Sequence, residues 1–201
     1  TGTAARYDVP RGIAVDSQGR GNVAEGDEQT IRKITPQGVV TTFAGSGNSQ
    51  IADGTGTGAS FLGPQAMAVD AFDNLFVVNL SSISKVTPEA VVTTFAGAGS
   101  GFGMIDGTGT AARFSGTTGI TIDKDNNIYV TDGGRSIRKI TDQAVVTTFF
   151  NGSGAPFATL SDITVDDSGN IYGIARDYPE IVKIDPSGVV TSFVSDRNPG
   201  F

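Results

Sequence analysis

One phrase recurs four times along the 201 residues: a short apolar run closing on Asp, a strand-like run, an Ile-x-Lys-Ile/Val step, then Val-Val-Thr-Thr/Ser-Phe. The copies open at 13–16, 67–70, 120–123 and 163–166 and close at 39–43, 91–95, 145–149 and 189–193. From Asp16 to Asp70, Asp123 and Asp166 the steps are 54, 53 and 43 residues. Such a period means one supersecondary unit stacked on copies of itself, because a single unit cannot bury its apolar surface alone.

Each copy contains four runs rich in Val, Ile, Thr and Phe, each too short for a helix and bounded by turn residues. Asp-x-x-Gly/Asn follows the first run, and Pro-x-Gly or a variant separates the third from the fourth, so each copy reads as a four-stranded antiparallel meander. Strands are expected at about 12–16, 22–25, 30–35 and 39–44, and then at 66–70, 75–79, 83–87 and 91–96. The third copy gives 119–123, 128–132, 137–141 and 145–150, the fourth 162–166, 171–175, 181–185 and 189–194. The fold class is all-β: a β-propeller of four four-stranded antiparallel blades, closed as a four-bladed ring or open as an arc of a larger propeller. Its blades lie at about 11–45, 65–97, 118–150 and 161–195 of a single 1–201 domain. Blades stack face to face, which is why Leu75-Phe76-Val77-Val78 carries no polar face. Asn22 stands where the other copies have Phe76, Tyr129 and Tyr172, so the second strand of the first blade is expected to be short or irregular.

These residues resemble the NHL-repeat family of β-propellers, through Gly12-Ile-Ala-Val-Asp16, Asn127-Ile-Tyr-Val-Thr-Asp132, Ile137-Arg-Lys-Ile-Thr141 and Val145-Val-Thr-Thr-Phe149. The bacterial subgroup with Asp-Gly-Thr-Gly-Thr-Ala-Ala-Arg-Phe linkers is the nearest likeness. That linker stands at 106–114, with changes at 53–61, and in truncated form at 1–7. The resemblance implies propellers of usually six blades against the four here. With the chain beginning inside a linker, it reads as part of something longer.

Function classes narrow from composition. The net charge of −7 sets a nucleic-acid partner aside, since a phosphate backbone would be repelled. No run of 18 apolar residues suggests a membrane span, and with no Cys there is no disulfide or thiolate chemistry. With no His, the commonest general base, the usual zinc ligand and Ser-His nucleophile systems are all missing. The resemblance also points to peptide-amidating lyases with a histidine-bound zinc, and to calcium lactonases with Glu, Asn and Asp around the channel. Before the inner strands this chain has Arg11, Gln65, Thr118 and Ser161, with Asp162 the nearby carboxylate. The expectation is therefore no enzyme, no cofactor and no metal, a metal-dependent propeller hydrolase or lyase being the remaining alternative.

Residues present in every blade serve the fold; those that break the repeat are candidates for function. Asp16, Asp70, Asp123 and Asp166, with Lys33, Lys85, Lys139 and Lys183, are expected to form an ion pair or turn cap per blade. In the Asp-Gly-Thr-Gly linkers one Asp each is too few for a calcium loop; Phe114 is expected to anchor by burial and Arg113 by hydrogen bonds. Gly45-Ser-Gly47 and 97–101 read as flexible connectors. The linkers at 45–64, 97–117 and 151–160 and the loops at 26–29, 133–136 and 176–180 should gather on one elaborated face, where binding residues are sought. Arg176, Tyr178, Arg135, Phe102 and Phe157 are the candidate anchors, since aromatic and Arg side chains dominate interface hot spots. The reading is an extracellular or cell-surface module binding a protein or glycan, the alternative a self-assembling structural subunit that binds other copies of itself.

Overall fold

The computed structural model describes residues 6–98, 101–152, 154–155, 157, 159–176 and 180–195. Four antiparallel sheets follow one another along the chain. Blade 1 holds β1 (Pro10–Val15), β2 (Gly21–Glu25), β3 (Thr30–Ile34) and β4 (Val40–Ala44). A linker strand, β5 (Gly54–Thr55), precedes blade 2, which holds β6 (Met67–Val69), β7 (Leu75–Val78), β8 (Ser82–Val86) and β9 (Val91–Gly97). Another, β10 (Gly107–Thr108), precedes blade 3: β11 (Thr117–Ile122), β12 (Ile128–Asp132), β13 (Ser136–Ile140) and β14 (Val145–Phe150). Blade 4 holds β15 (Leu160–Val165), β16 (Ile171–Ala175), β17 (Glu180–Ile184) and β18 (Val190–Ser195). The inner strand β1 lies beside β6, β6 beside β11 and β11 beside β15, which is the arrangement of a four-blade β-propeller.

The recurring Asp is a turn cap. Asp123 Oδ1 accepts the Asp125 and Asn127 N–H groups at 2.9 and 2.8 Å, and Asp16, Asp70 and Asp166 do the same two and four residues on. The turn needs a left-handed residue after the cap, and Gly19, Asp73, Asn126 and Gly169 supply it with φ of 73°, 62°, 61° and 80°. Among the described residues the recurring Lys forms no ion pair with the capping Asp; it sits on the blade's aromatic ring. Lys85, Lys139 and Lys183 lie 5.7, 5.6 and 5.8 Å from the ring centres of Phe76, Tyr129 and Tyr172.

The expected irregularity of the second strand in blade 1 does not occur: β2 spans five residues and pairs on both edges. The ladder depends on backbone groups, so losing the ring changes the packing instead. In blades 2–4 that ring packs edge-to-face on Phe95, Phe149 and Phe193 at 5.0, 5.3 and 5.0 Å. In blade 1 the lysine takes its place, with Lys33 Nζ 3.4 Å above Phe43. Burial, with the Arg20 charge nearby, holds that ammonium below its usual range.

Three apolar cores lie between blades rather than within them. Ala24, Ile31 and Ala44 of blade 1 meet Met67, Val77, Val86 and Val92 of blade 2, with Phe61 from the linker between. Phe114 fills the same place between blades 2 and 3, and Phe157 between blades 3 and 4. Alternation along a strand thus separates residues facing the preceding blade from those facing the next, and both sets are apolar.

The linkers are more ordered than free loops. β5 extends blade 2 outside β9 and β10 extends blade 3 outside β14, giving five strands where four were expected. Asp53 Oδ1 accepts Thr94 N–H and Oγ1–H at 2.7 and 2.8 Å; Asp106 Oδ1 accepts Arg138 Nη2–H at 2.6 Å and Thr148 Oγ1–H at 3.0 Å. Phe114 is buried and Arg113 donates to the Thr110 and Ala112 carbonyls, as expected. Gly45 and Gly97 are not flexible connectors. Both are buried with φ of 103° and 80°, and a Cβ would stand 2.4 Å from the Gln29 carbonyl oxygen or 2.6 Å from that of Ser81.

One buried polar position changes its chemistry from blade to blade. Asp132 and Arg138 of blade 3 pair at 2.9 Å with both side chains fully buried, and Glu25 and Arg32 of blade 1 pair at 3.1 Å. Blade 2 has Asn79 donating to Ser84 Oγ at 2.9 Å in the same positions, and blade 4 has Ala175 and Val182. In blades 1 to 3 the position is only partly satisfied, since Arg32 Nε, Asn79 Oδ1 and Arg138 Nε are buried without a hydrogen-bond partner, and blade 4 makes it apolar.

Candidate functional site

The four inner strands converge, and at or just before their starts one register position is shared by Arg11, Gln65, Thr118 and Ser161. The next position holds Gly12, Ala66, Gly119 and Asp162. Blades 1 and 3 admit only glycine there, for a Cβ on Gly12 would lie 2.4 Å from the Gln65 carbonyl oxygen and one on Gly119 2.9 Å from the Asp162 Cα. Close approach of the strands brings the register residues around one open cleft of about 740 Å³.

The cleft wall mixes hydroxyl, amide and charged groups with an apolar floor of Met67, Ile120, Leu160 and Ile163. Thr118 and Thr131 hydroxyls lie 2.8 Å apart, and the Thr131 oxygen also accepts the Gly119 N–H at 2.8 Å. Ile163 N–H donates to Asp162 Oδ1 at 2.9 Å, and Ser161 Oγ–H to the Ile174 carbonyl at 3.4 Å. Arg11 reaches Asp27 at 3.4 Å, with both side chains in solvent. Arg11 and Arg176 are the cations of the wall and Asp162 its carboxylate. Among the described residues no three His, Cys, Asp or Glu side chains gather where they could hold a metal ion.

Of the five sequence-predicted anchors, Arg176 alone lines this cleft. Arg135 is exposed on the turn between β12 and β13. Phe102 is exposed on the linker before blade 3, beside exposed Met104 and Ile105. Phe157 is buried and packs 6.3 Å from Phe150, so its ring belongs to the blade 3–4 core. Tyr178 lies outside the described residues. From the sequence, Gln65, Thr118 and Ser161 read only as unsuited to calcium; their register position changes residue in every blade, but so does the buried Glu25, Asn79, Asp132 and Ala175 position, and only the structure shows that the former lines a cleft.

No family model matches the chain, and no curated protein matches it. Solved structures do. Virginiamycin B lyase from Staphylococcus aureus, in a catalytically inactive histidine-to-alanine form with quinupristin, is 16% identical with a TM-score of 0.68, covering 98% of this chain and 59% of that one. An auxiliary nutrient binding protein from Bacteroides ovatus is 16% identical with a TM-score of 0.68, covering 94% and 50%. A gluconolactonase from Xanthomonas campestris is 15% identical with a TM-score of 0.67, covering 94% and 62%. The chain thus spans less than two thirds of each, and at these identities the likeness establishes the propeller fold and nothing finer. It also corrects the expectation that the chain is no enzyme: the same fold carries a lyase and a lactonase as well as a binding protein, so lacking one catalytic motif excludes no activity. No helix among the described residues is long and apolar enough to cross a membrane.

Proposed function

We propose that the four blades are the binding part of an extracellular NHL-type propeller and that the inner-strand cleft takes a segment of a protein partner. The observation that carries this reading is the sorting of residues by the repeat. The capping Asp is identical in every blade and serves the fold, while Arg11, Gln65, Thr118 and Ser161 share a register position that varies and that faces one cleft instead of a core. A volume of about 740 Å³ lies within the range of ligand sites. Hydroxyls and an amide suit a peptide backbone, and Arg11 and Arg176 at the rim suit acidic side chains. Among the described residues no Phe, Tyr or Trp lines the cleft, so these residues offer no flat platform for sugar rings. The NHL-like repeats and the acidic surface support the extracellular placement.

The test is to screen the labelled chain on peptide and glycan arrays beside an Arg11→Ala/Arg176→Ala variant. Peptides bound by the wild type should weaken about tenfold or more in the variant, the loss expected from truncating a pair of hot-spot arginines. Peptides bound equally by both, or sugars bound in place of peptides, would overturn the reading.

A further inference from the structure

At the far end of the inner strands from Arg11, Gln65, Thr118 and Ser161, each blade makes two short turns: the Asp-capped turn after its first strand and the turn between its third and fourth. Two residues there break the repeat. Phe72 stands where the other blades have Gln18, Asp125 and Ser168, and Asp142 where they have Pro36, Pro88 and Pro186. Both line one hollow of about 130 Å³ between blades 2 and 3, each of which has a blade on either side. Between blades 1 and 2 the capped turns are tied together, for Ser17 N–H and Oγ–H donate to Asp73 at 2.8 and 2.7 Å. At the next junction Ala71 takes the place of Ser17 and has no hydroxyl to give. The Phe72 ring, 72% exposed, lines the hollow there instead.

The lining combines aromatic rings with acid. Phe76 and Phe95 meet edge to face at 5.0 Å and, with Phe72, give the hollow three rings. The Lys85 ammonium lies 5.7 Å over Phe76, so one ring of this wall already carries a cation. Asn126 and Ile128 complete the side formed by blade 3. Of the two carboxylates, Asp70 is taken up by its own turn, where it accepts the Phe72 and Asn74 N–H groups and the Asn74 side-chain amide. Asp142 is exposed and bonds to no other described residue. Two carboxylates against one ammonium leave the hollow negative, within a chain of net charge −7. Size narrows the occupant further. A cavity of roughly 150 Å³ takes a benzene ring, whereas small-molecule sites run upward from about 300 Å³, so this hollow fits one side chain.

We propose that the hollow between blades 2 and 3 docks an arginine side chain of a protein partner, its guanidinium stacked on Phe72 and paired with Asp142. Arginine is the residue that does both at once, since its planar cation stacks on an aromatic face and meets a carboxylate through two N–H groups. A lysine would bring a compact, strongly hydrated charge beside Lys85 and has no plane to stack. This site is separate from the cleft. It lies at the other end of the inner strands, and it is acidic where the cleft wall carries Arg11 and Arg176.

Two-dimensional amide NMR of the isotope-labelled chain tests this with N-acetyl-arginine methylamide, beside the lysine, leucine and glutamate equivalents. The blocked arginine should shift the Phe72, Asn126 and Asp142 amides saturably, with a Kd of about 1–10 mM for one stack and one charged pair. Phe72→Ser and Asp142→Pro each install the residue that another blade carries at that place, so both variants should fold, and unchanged amide signals away from the two turns check that they do. Each should weaken the blocked arginine about threefold, and the double variant should bind it without saturation. A wild type with no saturable shift, equal shifts by lysine, leucine or glutamate, or a binding curve that neither substitution changes would each overturn the proposal.

Discussion

Replacing Arg138 by Met removes the cation at the centre of blade 3 while nearly keeping its volume. Arg138 and Asp132 are both fully buried and 2.9 Å apart, and Arg138 also donates to Asp106 at 2.6 Å and to the Arg113 carbonyl at 3.2 Å. Taking one partner from a buried pair costs about 3–5 kcal/mol, because the other charge is left without compensation. That is a fifth or more of the stability of an ordinary domain. With a urea slope of about 2–3 kcal/mol/M for a chain of this size, the midpoint should fall by about 1–2 M in urea titrations followed by far-UV circular dichroism. The Asp132→Asn/Arg138→Met double variant leaves no buried charge behind, since Asp106 is half exposed, and its deficit should shrink to about 1–2 kcal/mol. Blade 4 already carries an uncharged pair there, Ala175 and Val182. Acidity gives an independent check. Burial already pushes the Asp132 carboxyl above its ordinary value, against the opposing pull of the Ser115 N–H and Arg138. Removing Arg138 raises it further, so the folded state holds a proton that the unfolded state has released, and stability falls as pH rises through that window. The Arg138→Met deficit should therefore narrow from pH 7 toward pH 5. A loss under about 1 kcal/mol at pH 7, or a double variant no better than the single, would refute the reasoning.

Two further outcomes follow from the repeat. Asn22→Tyr restores to blade 1 the ring that its siblings carry and lets Lys33 move from Phe43 onto it. The gain should be about 0.5–1.5 kcal/mol by urea titration, the worth of an edge-to-face pair, and a destabilised variant would contradict the packing described. At Asp123, burial pushes the carboxyl up, but hydrogen bonds from Asn127, the Asp125 N–H and Tyr129 outweigh it and hold the group below its ordinary value. A depressed carboxylate stabilises above its unfolded value, and the contribution is lost as pH falls through the lower, folded one. Asp123→Ala should cost about 1–2 kcal/mol at pH 7 and little at pH 2, as read by thermal melts; an equal cost at both would contradict the assignment.

Much of the site's context was legible because its causes are local. An Asp followed by amides two and four residues on caps a turn wherever it occurs, so Asp16, Asp70, Asp123 and Asp166 announced the end of each first strand. Phe114 and Arg113 were readable for the same reason, since the linker that holds them recurs. What misled was reading a side chain's role from its type. Asn22 suggested a broken strand, yet the backbone ladder needs no ring at that point. Phe157 looked like a contact aromatic on a long loop, but it fills the gap between blades 3 and 4 that Phe61 and Phe114 fill elsewhere. Gly45 and Gly97 looked like slack, where they are close approaches that admit no Cβ.

The sequence by itself determined the unit: four strands per repeat, the turns between them, the capping Asp and an all-β stack, since period, turn chemistry and β-branched runs act within a few residues of one another. Only the tertiary structure decided what the units do together. The gathering of Arg11, Gln65, Thr118 and Ser161 around one cleft depends on how closely the inner strands approach and on the angle at which each blade meets the next. Those angles sum small packing differences across three interfaces between residues of different repeats, and no local pattern records them.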